Sequence, residues 1–154
     1  MVRPGLLEGG SAVQSAAGRD TCVIDHLSIA VADLKKSAAF YQAVLEPLGY
    51  RKVADRPTSI GFGKAYPEFW LNARQHAARA ADDTGAHICL RARSIEAVRE
   101  FHARALANGG RDDGAPGPRK GEMTDYFGAF IRDPDGNKIE AMTIPAAWQS
   151  RTKR

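Results

Sequence analysis

The sequence predicts an α+β fold made of two tandem βαβββ modules, and three observations predict it. Residues 25–51 repeat as residues 86–112 at a constant offset of 61, without a gap. Each copy opens with apolar residues at every second position and then passes to helical spacing. Three further short strand candidates follow each helix.

The duplication is read residue by residue. His26 meets His87, Leu27 meets Ile88, Ile29 meets Leu90, Leu34 meets Ile95, Phe40 meets Phe101, Leu45 meets Leu106 and Gly49 meets Gly110. The opening strands are apolar at 27, 29 and 31 and at 88 and 90, the pattern of a half-buried strand. Asp33 and Ser94 stand where an N-cap is wanted, ahead of Leu34, Ala38, Tyr41 and Leu45 in one helix and Ile95, Val98, Phe101 and Leu106 in the other. Gly49 and Gly110 are expected to end those helices. The remaining strands are expected near 50–55, 58–63 and 66–72, and near 110–114, 126–132 and 137–143. Asp133-Pro134-Asp135-Gly136 forms the turn between the last two. The Pro/Gly-rich stretch 114–121 reads as a loop.

These signals place one domain at 21–146, with modules at 22–73 and 84–144. Residues 1–20 read as a disordered leader and 147–154 as a basic tail. The leader lacks the uninterrupted apolar core of a secretory signal, and no apolar run approaches the roughly 20 residues of a membrane span. Cys22 and Cys89 are far apart with no paired spacing, which points to a reducing compartment and a cytoplasmic protein. The net charge of +4 comes mainly from scattered Arg with no basic helix face. That pattern argues against nucleic acid and suits an anionic small molecule at least as well.

Strand alternation carries the functional reading. If Leu27 and Ile29 pack on one helix and Ile88 and Leu90 on the other, His26 and His87 face away from the helices. In the last strand Glu140 lies on the same helix-free side, opposite in parity to Ile139 and Ala141. A lone strand histidine is usually a hydrogen-bonded structural residue. Two histidines related by duplication, together with a carboxylate, form a donor set for one divalent first-row metal ion: Zn, Ni, Mn, Fe or Co. Cys89 reads as a packed small residue, and His76 and His102 as surface groups. Arg91 shares the cleft-side parity of His87 and can meet an anionic substrate, while Trp70, Phe62 and Tyr126 are candidates to line a pocket.

The segments DHLSIAVADLKKSAAFYQAVLEPLGY, PEFWLNA, GAHICLRA and YFGAFIRDPDGNKIEAM resemble the vicinal oxygen chelate superfamily. That superfamily includes glyoxalase I, fosfomycin-resistance thiol transferases, bleomycin-binding proteins and extradiol dioxygenases. The resemblance implies paired modules forming a U-shaped mixed sheet around a cleft, with His26, His87 and Glu140 as metal ligands. It implies a fourth ligand on the last strand of the first module, where Glu68 and Trp70 compete for the position. Trp70 is favoured, because Glu140 lies deep in the counterpart strand. It further implies lyase or isomerase chemistry of the lactoylglutathione lyase type on a small oxygen-bearing substrate, through a metal-stabilised enolate or oxyanion. Glu140 or Glu68 would then move the proton. Thiol transfer to an epoxide antibiotic and metal-free drug binding of the bleomycin type are the alternatives, and a homodimer is expected.

Overall fold

The computed structural model describes residues 24–76 and 78–149. The expected leader, Cys22 and residues 150–154 lie outside them. The first module runs β1 (Leu27–Val31), α1 (Leu34–Leu45), a 3-10 turn (Glu46–Leu48), β2 (Arg51–Asp55), β3 (Ser59–Gly63) and β4 (Pro67–Ala73). The second runs β5 (Ile88–Arg91), α2 (Ile95–Ala107), β6 (Arg111–Arg119), β7 (Tyr126–Arg132) and β8 (Lys138–Thr143), followed by a short α3 (Ala146–Gln149). Trp148 of α3 packs against the core, so the expected tail begins inside the folded domain. No described helix is long and apolar enough to cross a membrane.

The modules form two four-stranded mixed sheets, ordered β1-β4-β3-β2 and β5-β8-β7-β6. In each, the opening strand runs parallel to the last strand, and the other pairs are antiparallel. A crossover helix between the parallel strands covers one face of each sheet. From α1, Phe40, Tyr41, Val44 and Leu45 pack toward Ile29, Val31, Ile60, Phe62, Phe69 and Leu71. From α2, Val98, Phe101 and Ala105 pack toward Phe127, Ala129, Ile131, Ile139 and Ala141 in the same core. Burying each Phe stabilises the fold by roughly 1.5–3 kcal/mol. The helices also meet each other, so the modules join through α1, the 3-10 turn and α2.

Both N-caps form as the sequence predicts: Lys36 N donates to Asp33 Oδ1 at 3.0 Å and Ala97 N to Ser94 Oγ at 3.2 Å. Gly49 takes the left-handed conformation with φ 82°. In the second module that conformation falls on Gly109, φ 92°, and not on Gly110. Gly110 serves a different need. A Cβ there would stand 3.0 Å from Phe40 of the other module and 2.9 Å from the Ala105 carbonyl. The expected 114–121 loop is corrected as well, since β6 continues through it to Arg119. Register shifts at 112/114 and 114/117 absorb the irregularity. As an edge strand, β6 tolerates Pro116 and Pro118, which have no N–H to donate.

His102 is the third correction. It is 8% exposed, and its Nε2 lies 2.7 Å from Asp112 Oδ1, because α2 turns it toward β6 and not toward solvent. That bond, foremost, holds the Asp112 carboxyl below the ordinary range. A carboxyl with a depressed folded pKa contributes stability above its unfolded value, about 3.9, and loses it as the pH falls through the folded value. Asp112→Asn is therefore expected to flatten the acid limb of stability below about pH 4, read by urea unfolding across pH 3–6.

The β7–β8 turn bolts the modules together. The Tyr41 hydroxyl donates to Asp133 Oδ2 at 2.7 Å, and Asn137 donates to the same carboxylate from its backbone and its side chain. Asp135 accepts from Ala32 N at 3.0 Å and from Ser37 Oγ at 3.2 Å. Arg132 is 6% exposed; it pairs with Asp113 and donates to the Gly136 carbonyl and to the carbonyls of Ala81 and Asp82 in the linker.

Candidate metal centre and substrate groove

The helix-free face of the second sheet carries a compact polar cluster. His87 precedes β5, and Glu140 lies in β8 opposite Cys89. His87 Nε2 lies 3.1 Å from Glu140 Oε2. Glu140 is only 3% exposed, and its Oε1 has no hydrogen-bond partner among the described residues. A buried, unsatisfied carboxylate oxygen is costly unless something binds it. The surroundings are built to leave it open. A Cβ on Gly128 would stand 3.1 Å from Glu140 Oε1 and 2.8 Å from the Tyr126 ring.

Burial, followed by the neighbouring Glu140 carboxylate, raises the Tyr126 phenol above its usual range. Burial and then Glu140 likewise push the Cys89 thiol up to about 12, while Arg91 pulls slightly the other way. Cys89 is exposed but stays a neutral thiol, so it lacks the thiolate a nucleophile needs. The Phe130 ring stands edge-on to His87 at 5.7 Å and limits the imidazole's freedom. Next to Tyr126 a cavity of about 490 Å³ opens between residues 118–125 and Trp148.

His26 lies elsewhere. It precedes β1 on the first sheet, and its Nδ1 sits 2.8 Å from Asp25 Oδ2. That contact assigns the proton to Nδ1 and leaves Nε2 as the free donor. Among the described residues no three His, Cys, Asp or Glu side chains converge within one chain. The structure thus brings His87 and Glu140 together and holds His26 on the other module.

The register resolves how the two modules correspond. Ser28 pairs with Trp70, and its duplicate Cys89 pairs with Glu140. Trp70 therefore occupies the place in the first module that Glu140 has in the second. The ring fits because its cross-strand neighbour is Gly61, where a Cβ would approach it to 3.2 Å. The Arg56 guanidinium lies 5.1 Å from the ring centroid. Glu68, two residues earlier, has a carboxylate oxygen shut from solvent without a partner among the described residues. Phe62 is fully buried on the helix side of β3, so it packs the core and lines no pocket. Arg91 is exposed at the end of β5, the strand that carries Cys89 and follows His87. His76 is exposed too, as its loop position predicts.

Asp25, Arg56 and Gly128 escaped sequence reasoning. Asp25 could have been found from its place beside His26. Arg56 sits in a strand-to-strand turn with no periodic pattern, and Gly128 gives no signal until Tyr126 and Glu140 are placed around it.

Comparison with known proteins agrees with this architecture. The family model for the Glyoxalase/Bleomycin resistance protein/Dioxygenase superfamily matches residues 23–141. A lactoylglutathione lyase of Salmonella typhimurium is 32% identical over 124 residues, covering 75% of this chain and 87% of the relative. A crystal structure of a glyoxalase/bleomycin resistance protein from Albidiferax ferrireducens T118 aligns with TM-score 0.69 at 32% identity, over 77% of this chain and 96% of that one. A fosfomycin resistance protein from Listeria monocytogenes shares the fold, with TM-score 0.57 at 20% identity over 79% and 93% of the two chains. The chain belongs to the Glyoxalase/Bleomycin resistance protein/Dioxygenase superfamily.

Proposed function

We propose that the protein is a metal-dependent enzyme of the glyoxalase type that moves a proton on a small oxygen-bearing substrate, in the manner of a lyase or isomerase. One observation carries the reading: Glu140 is buried beside His87 with a carboxylate oxygen that nothing in the described chain satisfies. An imidazole and a carboxylate at this spacing suit a divalent first-row ion. His26 supplies the third donor from a second copy of the chain, which accounts for its place on a separate sheet. When bound, the metal supplies Lewis-acid polarisation of substrate oxygen.

The chain's own residues do the rest. Asp25 fixes the tautomer of His26. Tyr126, with its phenol held protonated, remains a hydrogen-bond donor beside Glu140. Glu140 and Glu68 are the carboxylates available to hold the transferred proton. Trp70 fills the fourth donor position with an indole, leaving three protein ligands. That three-donor set favours thiol transfer to an epoxide as the second reading.

Elemental analysis of the purified full chain tests the proposal. About one equivalent of a divalent metal per chain is expected, falling at least tenfold in Glu140→Gln, which keeps the shape and removes the charge. Equal substoichiometric metal in both proteins would sink it. Methylglyoxal with glutathione, the substrate pair suggested by the Salmonella relative, is the first turnover assay.

A further inference from the structure

The first sheet carries a groove of about 410 Å³ that the metal chemistry does not by itself explain. Its lining includes Asp25, His26, Arg56, Tyr66, Pro67 and Trp70, with Asn72 beside them. The Arg56 backbone closes the β2–β3 turn through Arg56 N donating to the Ser59 carbonyl at 2.9 Å. Its guanidinium lies over the Trp70 ring, and among the described residues it makes no ion pair. The nearest acids in sequence and space are already engaged: Asp55 with Lys52 at 2.6 Å and Asp25 with His26 at 2.8 Å.

We propose that this groove is a subsite for a planar organic carboxylate, with Arg56 pairing to the anion and the apolar surfaces of Tyr66, Pro67 and Trp70 covering its body. The assignment rests on the proposed function, in which the His26 side forms half of the active site, and it names that site's substrate class. An arginine stacked on an indole keeps its N–H edges free, and those edges match a carboxylate in a two-pronged geometry. The stack also holds the side chain in place, so little freedom remains to be lost on binding. Asn72 offers an amide donor in the same groove. The scattered positive charge of the chain suits such a ligand.

Calorimetric titration of the purified full chain with benzoate, against neutral benzamide as the isosteric control, tests this. Benzoate is expected to bind at least tenfold more tightly than benzamide. Arg56→Gln is expected to abolish that preference, and Arg56→Lys to recover only part of it. His87→Ala, titrated in parallel, separates anion binding at Arg56 from anion binding at the proposed metal. Equal binding of the two probes, or benzoate affinity unchanged in Arg56→Gln, overturns the subsite. Benzoate binding that disappears in His87→Ala and persists in Arg56→Gln assigns the anion to the metal and also overturns it. Absence of metal from the wild type would defeat the proposed function and leave the benzoate result standing.

Discussion

Co-expression of a His26→Ala chain with a His87→Ala chain is expected to restore metal to about a quarter of the sites, although neither variant alone holds any. The expectation follows from the separation of His26 from the His87–Glu140 pair. If each centre takes His26 from one copy and the pair from another, a mixed dimer has one centre with both lesions and one with none. Random pairing makes about half of the dimers mixed, and each mixed dimer keeps one of two centres. Metal content of the co-purified mixture, read beside each parent, decides the matter. A centre assembled within one chain predicts no recovery at all, so a mixture no richer than its parents would refute exchange between copies. The effect is large because a three-donor centre that loses an imidazole retains too few ligands to hold a divalent ion against water.

Tyr41→Phe is expected to destabilise the protein by about 1–3 kcal/mol, because it strips a donor from a buried carboxylate without altering the shape of the core. Tyr41 is fully buried and Asp133 is 1% exposed, so water cannot replace the lost bond. Asn137 continues to donate to Asp133, which keeps the loss below that of an uncompensated charge. For a domain of this size the melting temperature should fall by roughly 2–4 °C per kcal/mol.

The pH dependence has a definite sign. Burial, chiefly, raises the Asp133 carboxyl above its ordinary value, and the bonds from Asn137 and Tyr41 work against that rise. A carboxyl whose folded pKa is raised favours folding below its unfolded value and loses that contribution as the pH climbs through the folded value. Removing the Tyr41 donor lifts the folded value further. The deficit of the variant should therefore be larger at pH 7 than at pH 4. Urea unfolding of both proteins at the two values measures it, and a deficit that grows in acid would contradict the assignment.

The fold was legible because the duplication repeats physics as well as letters. Alternation at 27–31 and 88–91, the caps at Asp33 and Ser94 and the Asp133–Gly136 turn are local signals, and each forms as read. What escaped was set by tertiary contact. His102 is buried because β6 brings Asp112 to it, and no helical pattern reveals that. Gly110 is small because Phe40 of the other module arrives there, not because the helix must end. The Pro-rich 114–121 stretch reads as a loop by composition, but an edge strand makes few demands on N–H groups.

The candidate site divides in the same way. Parity put Glu140 and His87 on one face, and they lie 3.1 Å apart. Parity is silent on how two sheets are set in space, so it could not show that His26 stands apart. Phe62 illustrates a further limit. An aromatic in a strand beside a cleft is as well suited to the core as to a pocket, and register alone decides between them.

Trp70 over Gly61 and Glu140 opposite Phe130 form an exchange of bulk between cross-strand neighbours. In one half the large ring stands on the last strand and the partner is glycine. In the other the ring stands on the neighbouring strand, and the last strand carries the carboxylate. Once a gene has been doubled, such reciprocal exchange lets a polar group of one half give way to a ring while the space above the sheet stays filled. If the proposed centre holds, its number of ligands becomes a character that can drift between descendants of one ancestor without disturbing the scaffold. A lineage can thus change the side-chain chemistry of one half while the other keeps its buried carboxylate.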